Sequence, residues 1–209
     1  IRNLIHKNNI KDGLIYLQIT RGVAQRDFKF PKNVKSSIVI TAKNISMENY
    51  HSNFEKGIKV KTTQDLRWKR VDIKTLNLLP PVLAKQKAVE SGCEEAWMID
   101  SDGYITEGSS SNAWILIKDK LITTPATTSI LKGITRTSLI KALRKYNIKL
   151  VEKRFNKKDI RNSNEAFITS ATQFVMPVIK VDNIRVGKGK VGKYAHMFKN
   201  AYMEAIQLK

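Results

Sequence analysis

Short segments in which apolar and polar residues alternate, or in which apolar residues follow one another, recur along most of the chain. Such short segments, bounded by glycine, proline, asparagine or aspartate, are typical of β-strands rather than helices. Asp102 and Gly103 separate two of these segments and form a dipeptide that favours a tight hairpin turn. We predict strands at residues 14–20, 37–41, 57–62, 68–73, 96–100, 104–106, 112–117, 121–123, 165–170 and 178–181.

Three other segments have the features of helices. Prolines at positions 80 and 81 suit the first turn of one helix, which Gly92 would end. Gly133 precedes a second helix, in which the apolar residues Leu139 and Leu143 fall on one face. We predict helices from Pro80 to about Ser91, from about Ile134 to Tyr146 and from about Tyr194 to Gln207.

The order of these elements predicts a mixed α+β chain with one boundary. The stretch 44–54 is polar and is interpreted as a linker, which places the boundary near residue 48. The chain has 209 residues, a length that suits one large domain or two small ones. We therefore divide it into residues 1–48 and 49–209.

Composition indicates a globular protein of a reducing compartment. Hydrophobic residues make up 42% and charged residues 27% of the chain, and no apolar run is as long as a membrane-spanning helix requires. Cys93 is the single cysteine, so an intrachain disulfide is excluded and a cytoplasmic location is expected. The three histidines lack the spacing of metal ligands, so we expect no metal site.

The net charge of +20 raises the question of nucleic-acid binding. Basic residues are spread over the whole chain and are densest at 67–70, 153–158 and 188–193. Neither a series of aromatic residues nor a helix-turn-helix, zinc-finger or RNA-binding signature accompanies them. We therefore expect no nucleic-acid partner and no membrane partner.

Four segments contain residue types suited to binding a cofactor that reacts through a carbonyl. Most lysines are solvated, but Lys74 follows a predicted strand among uncharged residues, where desolvation favours the neutral amine that attacks an aldehyde. Glu107 begins a turn rich in hydroxyl groups. The segment 131–136 opens a helix whose first amides are free to bind phosphate, and 169–172 ends a strand with hydroxyls. Each segment alone is a weak signal.

Taken together and in this order, the four segments resemble those of the pyridoxal-phosphate (PLP) enzymes of aminotransferase class IV. The likeness extends over nearly the whole chain, and its Asp-Ile-Lys and Glu-Gly-Ser-Ser-Ser-Asn sequences are similar to the D-amino-acid transaminase branch. The resemblance implies PLP fold type IV, with residues 1–48 as the remainder of a small N-terminal domain and 49–209 as the larger PLP-binding domain. The matching stretches are Asp72 to Leu79, Thr106 to Asn112, Leu131 to Arg136, Thr169 to Thr172 and Val175 to Val178.

The resemblance also implies a role for each matching residue. Lys74 would hold PLP as a Schiff base and move the proton at the substrate Cα. Glu107 would bind the pyridine nitrogen, and the start of the helix at Ile134 and Thr135 would bind the phosphate. The implied cofactor-binding residues are Lys74, Glu107, Ser110, Ser111, Leu131, Gly133, Ile134, Thr135, Ser170 and Ala171.

Substrate binding is implied for Arg26 and Phe28. Arg26 matches the arginine that holds the substrate carboxylate in this family, and a guanidinium fork suits both carboxylate oxygens. Phe28 stands where D-specific members commonly have histidine, so this site departs from the family pattern. The family also has a further N-terminal stretch, with an arginine for the phosphate and a tyrosine near the substrate, so we interpret the chain as a partial sequence.

The implied activity is transfer of the amino group of a D-amino acid, such as D-alanine, to an α-keto acid, such as α-ketoglutarate. The family implies a homodimer as well. Two alternatives with the same fold are a branched-chain L-amino-acid transaminase and an aminodeoxychorismate lyase. An alternative of another class is a basic binding module without enzymatic activity.

Overall fold

The chain separates into two units, Ile1–Tyr50 (unit 1) and His51–Lys209 (unit 2). The structure, a computed structural model, describes residues 1–146 and 148–206. Within these residues, no helix combines the length and the apolar character that crossing a membrane requires.

Unit 1 contains one short helix, one pair of strands and the beginning of a second helix. The helix α1 spans Arg2–Lys7, and the strands are β1 (Gly13–Thr20) and β2 (Ser37–Asn44). The strands are antiparallel, with Gly13 opposite Asn44 and Thr20 opposite Ser37. Both strands agree with the sequence prediction, and residues 21–36 form the connection between them.

Unit 2 is built on one large mixed sheet. Its helices are α2 (Met47–Lys56, which begins in unit 1), α3 (Leu79–Glu90), α4 (Ile134–Ala142), α5 (Lys157–Arg161) and α6 (Lys193–Ile206). Its strands are β3 (Ile58–Gln64), β4 (Glu95–Ile99), β5 (Tyr104–Gly108), β6 (Asn112–Ile117), β7 (Lys120–Thr123), β8 (Lys149–Glu152), β9 (Phe155–Asn156), β10 (Glu165–Ser170), β11 (Phe174–Val181) and β12 (Ile184–Arg185).

The strand order brings distant parts of the chain side by side. In the described residues the order is β8-β7-β6-β10-β11-β3-β4-β5-β9, and β12 pairs with β11. The strand β3 lies parallel to both of its neighbours, β11 and β4, whereas β6, β10 and β11 are joined by antiparallel pairing. Strands β4 and β6 are buried along nearly their whole length, which explains their almost continuous apolar sequences.

The main core lies where α4 and α6 cover β6, β10 and β11. Trp114 of β6 stacks on Phe167 of β10, with ring centroids 5.6 Å apart, and Phe167 meets Phe198 of α6 at 5.1 Å. Full burial of one such phenylalanine is worth about 1.5–3 kcal/mol. A smaller cluster joins Ala84 and Ala88 of α3 to β4. The packing of α4 fixes the position of its N-terminus.

Two secondary-structure predictions are wrong. Residues 68–73 form turns and bends, because the guanidinium of Arg70 pairs with the Asp72 carboxylate and the Val71 amide donates to the Thr128 carbonyl instead of to a strand. The stretch predicted as a linker contains most of the helix α2, in which Tyr50 and Phe54 are buried one turn apart.

The remaining elements agree with the sequence prediction apart from their ends. The second predicted helix ends as α4 at Ala142, and a short 3-10 turn continues it to Lys145. The last predicted strand begins earlier than expected, at Phe174. The last predicted helix corresponds to α6, and its expected final residue, Gln207, lies outside the described residues.

Candidate active site

A cavity of about 500 Å³ opens in unit 2 where four separate segments converge. These segments are the loop after β3, the turn between β5 and β6, the start of α4 and the end of β10. The structure thus brings together the four segments that the sequence singles out. All the implied cofactor-binding residues line the cavity, namely Lys74, Glu107, Ser110, Ser111, Leu131, Gly133, Ile134, Thr135, Ser170 and Ala171.

Lys74 lies in the loop between β3 and α3 and lines the cavity. The sequence predicts this lysine at a strand end and shielded by apolar neighbours. In the structure it is exposed, and Ile73 and Leu76 beside it are exposed as well. The expected shielding by its own neighbours is therefore wrong.

Glu107, near the end of β5, is the buried carboxylate of the cavity, with 4% of its surface exposed. Its Oε1 accepts from Arg67 Nη1 at 2.5 Å and from the Leu131 amide at 3.1 Å. Its Oε2 accepts from Asn112 Nδ2 at 2.8 Å. Burial raises the pKa of Glu107 from 4.5 to about 7, and the charge and hydrogen bond of Arg67 oppose this rise.

Arg67 is a cavity residue that the sequence prediction missed. Its Nε and Nη2 donate to the two oxygens of Asp65 at 2.9 and 2.7 Å, and its Nη1 reaches Glu107. Although burial acts to raise the pKa of Asp65, the hydrogen bonds and charge of Arg67 outweigh it and hold that pKa below its usual value. Arg67 stands in one of the densest basic runs of the chain, which is why the sequence suggests a solvated residue.

The start of α4 faces the cavity with Gly133, Ile134 and Thr135. Gly133 is the N-cap, and among the described residues no side-chain cap bonds to the first amides of the helix. A Cβ atom on Gly133 would overlap Oδ1 of Asn112, so a glycine is required for this close approach. Because free first-turn amides sit at the positive end of a helix, they are suited to an anion such as phosphate.

The serines of the turn after β5 are held by a second buried carboxylate, Glu95 of β4, which the sequence prediction also missed. Its Oε1 accepts from the Ala96 amide at 2.7 Å and from the Ser109 hydroxyl, and its Oε2 accepts from Ser111 Oγ at 3.0 Å. Ser110 Oγ lies 3.5 Å from the same Oε2. The hydroxyls of Ser110 and Ser111 therefore share a carboxylate partner within the protein.

Arg26 and Phe28 belong to unit 1, in the connection between β1 and β2. The guanidinium carbon of Arg26 lies 5.4 Å from the centre of the Phe28 ring, which is 95% exposed. A cation at this distance from an aromatic face is weakly attracted to it. The two implied substrate-binding residues are therefore neighbours within their own unit.

The sequence matches the model of the family Amino-transferase class IV over residues 1–181. The chain belongs to the class IV aminotransferases. It is 40% identical over 208 residues to D-alanine aminotransferase of Staphylococcus aureus (strain MSSA476), covering 99% of this chain and 72% of that enzyme. It is 35% identical over 206 residues to D-alanine aminotransferase of Bacillus licheniformis, with the same coverage of 99% and 72%.

Solved structures agree with this class IV assignment. The branched-chain amino acid aminotransferase of Escherichia coli superposes with a TM-score of 0.85 and 26% identity, over 97% of this chain and 68% of that one. The T.th. branched-chain amino acid aminotransferase with pyridoxamine 5'-phosphate gives a TM-score of 0.90 at 23% identity, over 98% and 68% of the two chains. The second match shows the fold alone. Fold type IV, predicted from the sequence, is confirmed.

Membership in this family decides the enzyme class and the cofactor of the chain. Class IV aminotransferases depend on PLP, so the chain is a PLP-dependent aminotransferase. The predictions of the family, the enzyme class and the cofactor are confirmed. The alternative of another class, a basic binding module, is not supported, since the four cavity segments and the family match coincide.

Proposed function

We propose that this class IV aminotransferase transfers the amino group of D-amino acids, D-alanine in particular, to an α-keto acid such as α-ketoglutarate. The observation that carries the proposal is the cavity, in which a lysine, a buried glutamate and an uncapped helix start lie together. The relatives named D-alanine aminotransferase, at 35% and 40% identity, support the substrate class. When bound, PLP supplies the aldehyde that takes up the amino group and a ring that accepts electrons.

The donors around Glu107 fit a protonated pyridine nitrogen. A carboxylate has about four acceptor positions, and donors in the described residues fill three of them, two on Oε1 and one on Oε2. One position on Oε2 is left for a further N–H group. Glu107 would use it to hold the pyridine nitrogen in its protonated form.

The start of α4 and the end of β10 would hold the phosphate. The helix start at Ile134 and Thr135 has no side-chain cap among the described residues, and Ser170 and Ala171 line the same cavity. Backbone amides at a helix start bind phosphate through hydrogen bonds and through the helix dipole. Leu131 would pack against the ring, and the serines of the turn after β5 would lie beside it.

Lys74 would hold the cofactor covalently through Nζ and then move a proton at the substrate Cα. The residue reaches the cavity from a loop, so its side chain can swing between these two tasks without moving a strand. Because only a free amine can accept a proton, the Nζ would act as the base at the substrate Cα when it is not bound to the cofactor. Arg26 of unit 1 would bind the substrate carboxylate, with Phe28 beside it.

The proposal extends to the organisation of the chain. Residues 1–48 would be the remainder of a small domain and 49–209 the PLP-binding domain of a cytoplasmic homodimer. The exposed apolar side chains of the segment around α3 support a subunit contact, because a monomer seldom leaves such a group in water. They include Leu76, Leu78, Leu79, Val82 and Leu83.

The visible absorption spectrum of the chain with PLP tests the proposal. We expect a band from lysine-bound cofactor that disappears on addition of D-alanine and persists with L-alanine or L-leucine. Lys74→Ala should lack this band and transaminate at least about a thousandfold more slowly, since it loses both the covalent link and the base. A Lys74→Ala protein with the wild-type rate would overturn the assignment.

The same spectra separate the two alternatives with this fold. Loss of the band with L-leucine alone would identify a branched-chain L-amino-acid transaminase, a class to which the Escherichia coli structure belongs. Release of pyruvate from aminodeoxychorismate without any amino acceptor would identify a lyase. Either result would replace D-alanine as the substrate while leaving the role of Lys74 intact.

A further inference from the structure

Asp65 and Arg67 form a largely buried ion pair, and Arg67 also contacts Glu107. We propose that Arg67, clamped by Asp65, is the positioning residue that orients the Glu107 carboxylate toward the cofactor ring and favours its charged form. This inference rests on the proposed role of Glu107.

Two nitrogens of the Arg67 guanidinium bind Asp65, which leaves the third, Nη1, for Glu107. Nε and Nη2 hold the two oxygens of Asp65 at 2.9 and 2.7 Å, and Nη2 also lies 3.3 Å from Thr106 Oγ1. Nη1 then points to Glu107 Oε1 at 2.5 Å. A fork held on two sides has little freedom to rotate, so Glu107 receives its hydrogen bond in a fixed direction.

Arg67 differs in kind from the other two donors to Glu107. Asn112 and the Leu131 amide orient the carboxylate, but neither carries a formal charge. The side chains of Arg67 and Glu107 are 10% and 6% exposed, so water contributes little screening between them. Arg67 therefore does most to offset burial of the Glu107 charge, which otherwise favours the protonated acid, and the Leu131 amide acts in the same direction.

Other charged groups lie around the same carboxylate. Asp65 carries a negative charge that opposes ionisation of Glu107. Lys74 and Lys132 line the cavity from the loop before α3 and the segment before α4. Asp65, Arg67 and Glu107 together carry one negative charge, which a protonated pyridine nitrogen would neutralise. Removal of Arg67 would leave two largely buried carboxylates without the cation that they share, a strongly unfavourable arrangement.

The chain offers a matched control for the test. Arg70 and Asp72 repeat the spacing of Asp65 and Arg67, again with two hydrogen bonds of 2.9 and 2.8 Å. The Arg70 side chain is 55% exposed and does not line the cavity. Arg70→Met therefore removes an equivalent ion pair from the surface and should leave the properties of Glu107 unchanged.

The first measurement is titration of the Glu107 carboxyl by carbon NMR in the cofactor-free chain, with Glu107→Gln to assign its signal. Arg67→Met should raise the Glu107 pKa by about one unit or more, whereas Arg70→Met should leave it unchanged. An unchanged Glu107 pKa in Arg67→Met would overturn the inference. This titration needs neither cofactor nor activity, so its result remains valid even if the proposed substrate is wrong.

The second measurement uses the PLP-loaded enzyme. In Arg67→Met, the acid limb of the kcat/KM profile with D-alanine should move to higher pH by about the same amount. Arg67→Lys keeps the charge but cannot hold Asp65 with two bonds, so it should restore the acid limb and still bind PLP about fivefold or more weakly. If Arg67→Met loses activity by the same factor at every pH, so that its pH profile matches the wild type, then Arg67 has only a structural role.

These outcomes are distinct from failure of the proposed function. A wild-type profile in Glu107→Gln would remove the role of Glu107 itself, whatever Arg67 does. Where Arg67→Met does not fold, Arg67→Lys decides the question, because wild-type PLP affinity in that variant would contradict a positioning role. Circular dichroism of each variant separates folding from the two readouts.

Discussion

Two glutamates are almost completely buried in unit 2, and the chain stabilises them in different ways. Glu107 has a guanidinium in hydrogen-bond contact. Glu95 is 0% exposed, accepts from the amide of Ala96 and the hydroxyls of Ser109 and Ser111, and has the Lys85 ammonium at 3.9 Å. A buried carboxylate without several donors would be strongly destabilising. Glu95 is therefore the anchor of the serine turn that lines the cavity.

Glu95→Gln should lower the free energy of unfolding by about 1–3 kcal/mol, because the new amide group faces hydroxyls and an amide that already need an acceptor. Urea denaturation would measure this change. Glu90→Gln is the control, since Glu90 is exposed on α3 and accepts a hydrogen bond from Gln86. Equal stability of the two variants would contradict the role given to Glu95.

Glu107 also makes the stability of the cofactor-free chain depend on pH. Burial raises its pKa from 4.5 to about 7, so between these values the unfolded chain binds fewer protons than the folded one. Stability should therefore fall as pH rises from about 4.5 to about 7, by about 3 kcal/mol at most, and then level off. Thermal unfolding at several pH values would show this decline, and Glu107→Gln should flatten it.

The residues that could be predicted from the sequence are those in short, ordered motifs. Lys74, Glu107 and Gly133 stand in such motifs, and the cavity brings them together. Arg67 and Glu95 could not be found in this way, because their partners lie 40 and 16 positions further along the chain, at Glu107 and Ser111. Charge alone suggests surface residues for both, and only the fold shows that they are buried.

At the scale of elements, the sequence predicts strands correctly where burial alone determines their apolar pattern. Strands β4 and β6 are buried on both faces, so their apolar runs are unmistakable. The prediction failed for α2, because Tyr50 and Phe54 stand among polar residues. It also failed for residues 68–73, where the Arg70–Asp72 ion pair and the hydrogen bond of Val71 to Thr128 replace strand pairing. In both places side-chain contacts, together with the bond of Val71 to distant Thr128, outweigh the local apolar pattern.

The start of α4 provides a test at this scale. Gly133→Ala would place a Cβ atom against Asn112 Oδ1 and so displace the side chain that donates to Glu107. We expect PLP affinity to fall about tenfold, measured by fluorescence titration. Gly92→Ala is the control, because the added Cβ would meet no described atom within 4 Å. Since the φ of Gly92 is +67°, this variant should have a free energy of unfolding about 1 kcal/mol lower than the wild type. Unchanged PLP affinity in Gly133→Ala would contradict this account.

At the scale of the whole molecule, the apolar surface around α3 predicts association. Leu79 is 66% exposed and Leu83 lies one turn further along the helix. Leu79→Lys with Leu83→Lys should shift the proposed dimer toward monomers, because two charges would be buried in the contact. Sedimentation velocity would detect the shift, with Leu150→Lys on β8 as the control. A double variant with the sedimentation of the wild type would exclude this surface.

The parallel pairing of β3 with β11 also determines how late in synthesis the sheet of unit 2 can form. Ile58 lies opposite Val178, so the middle of the sheet cannot close until the ribosome has passed residue 178. Pairing over such a separation is slow, and the half-made chain leaves strand edges open to aggregation. The cavity likewise needs Ser170 and Ala171. PLP can therefore stabilise the chain only late in its synthesis, and added cofactor cannot protect the earlier nascent forms.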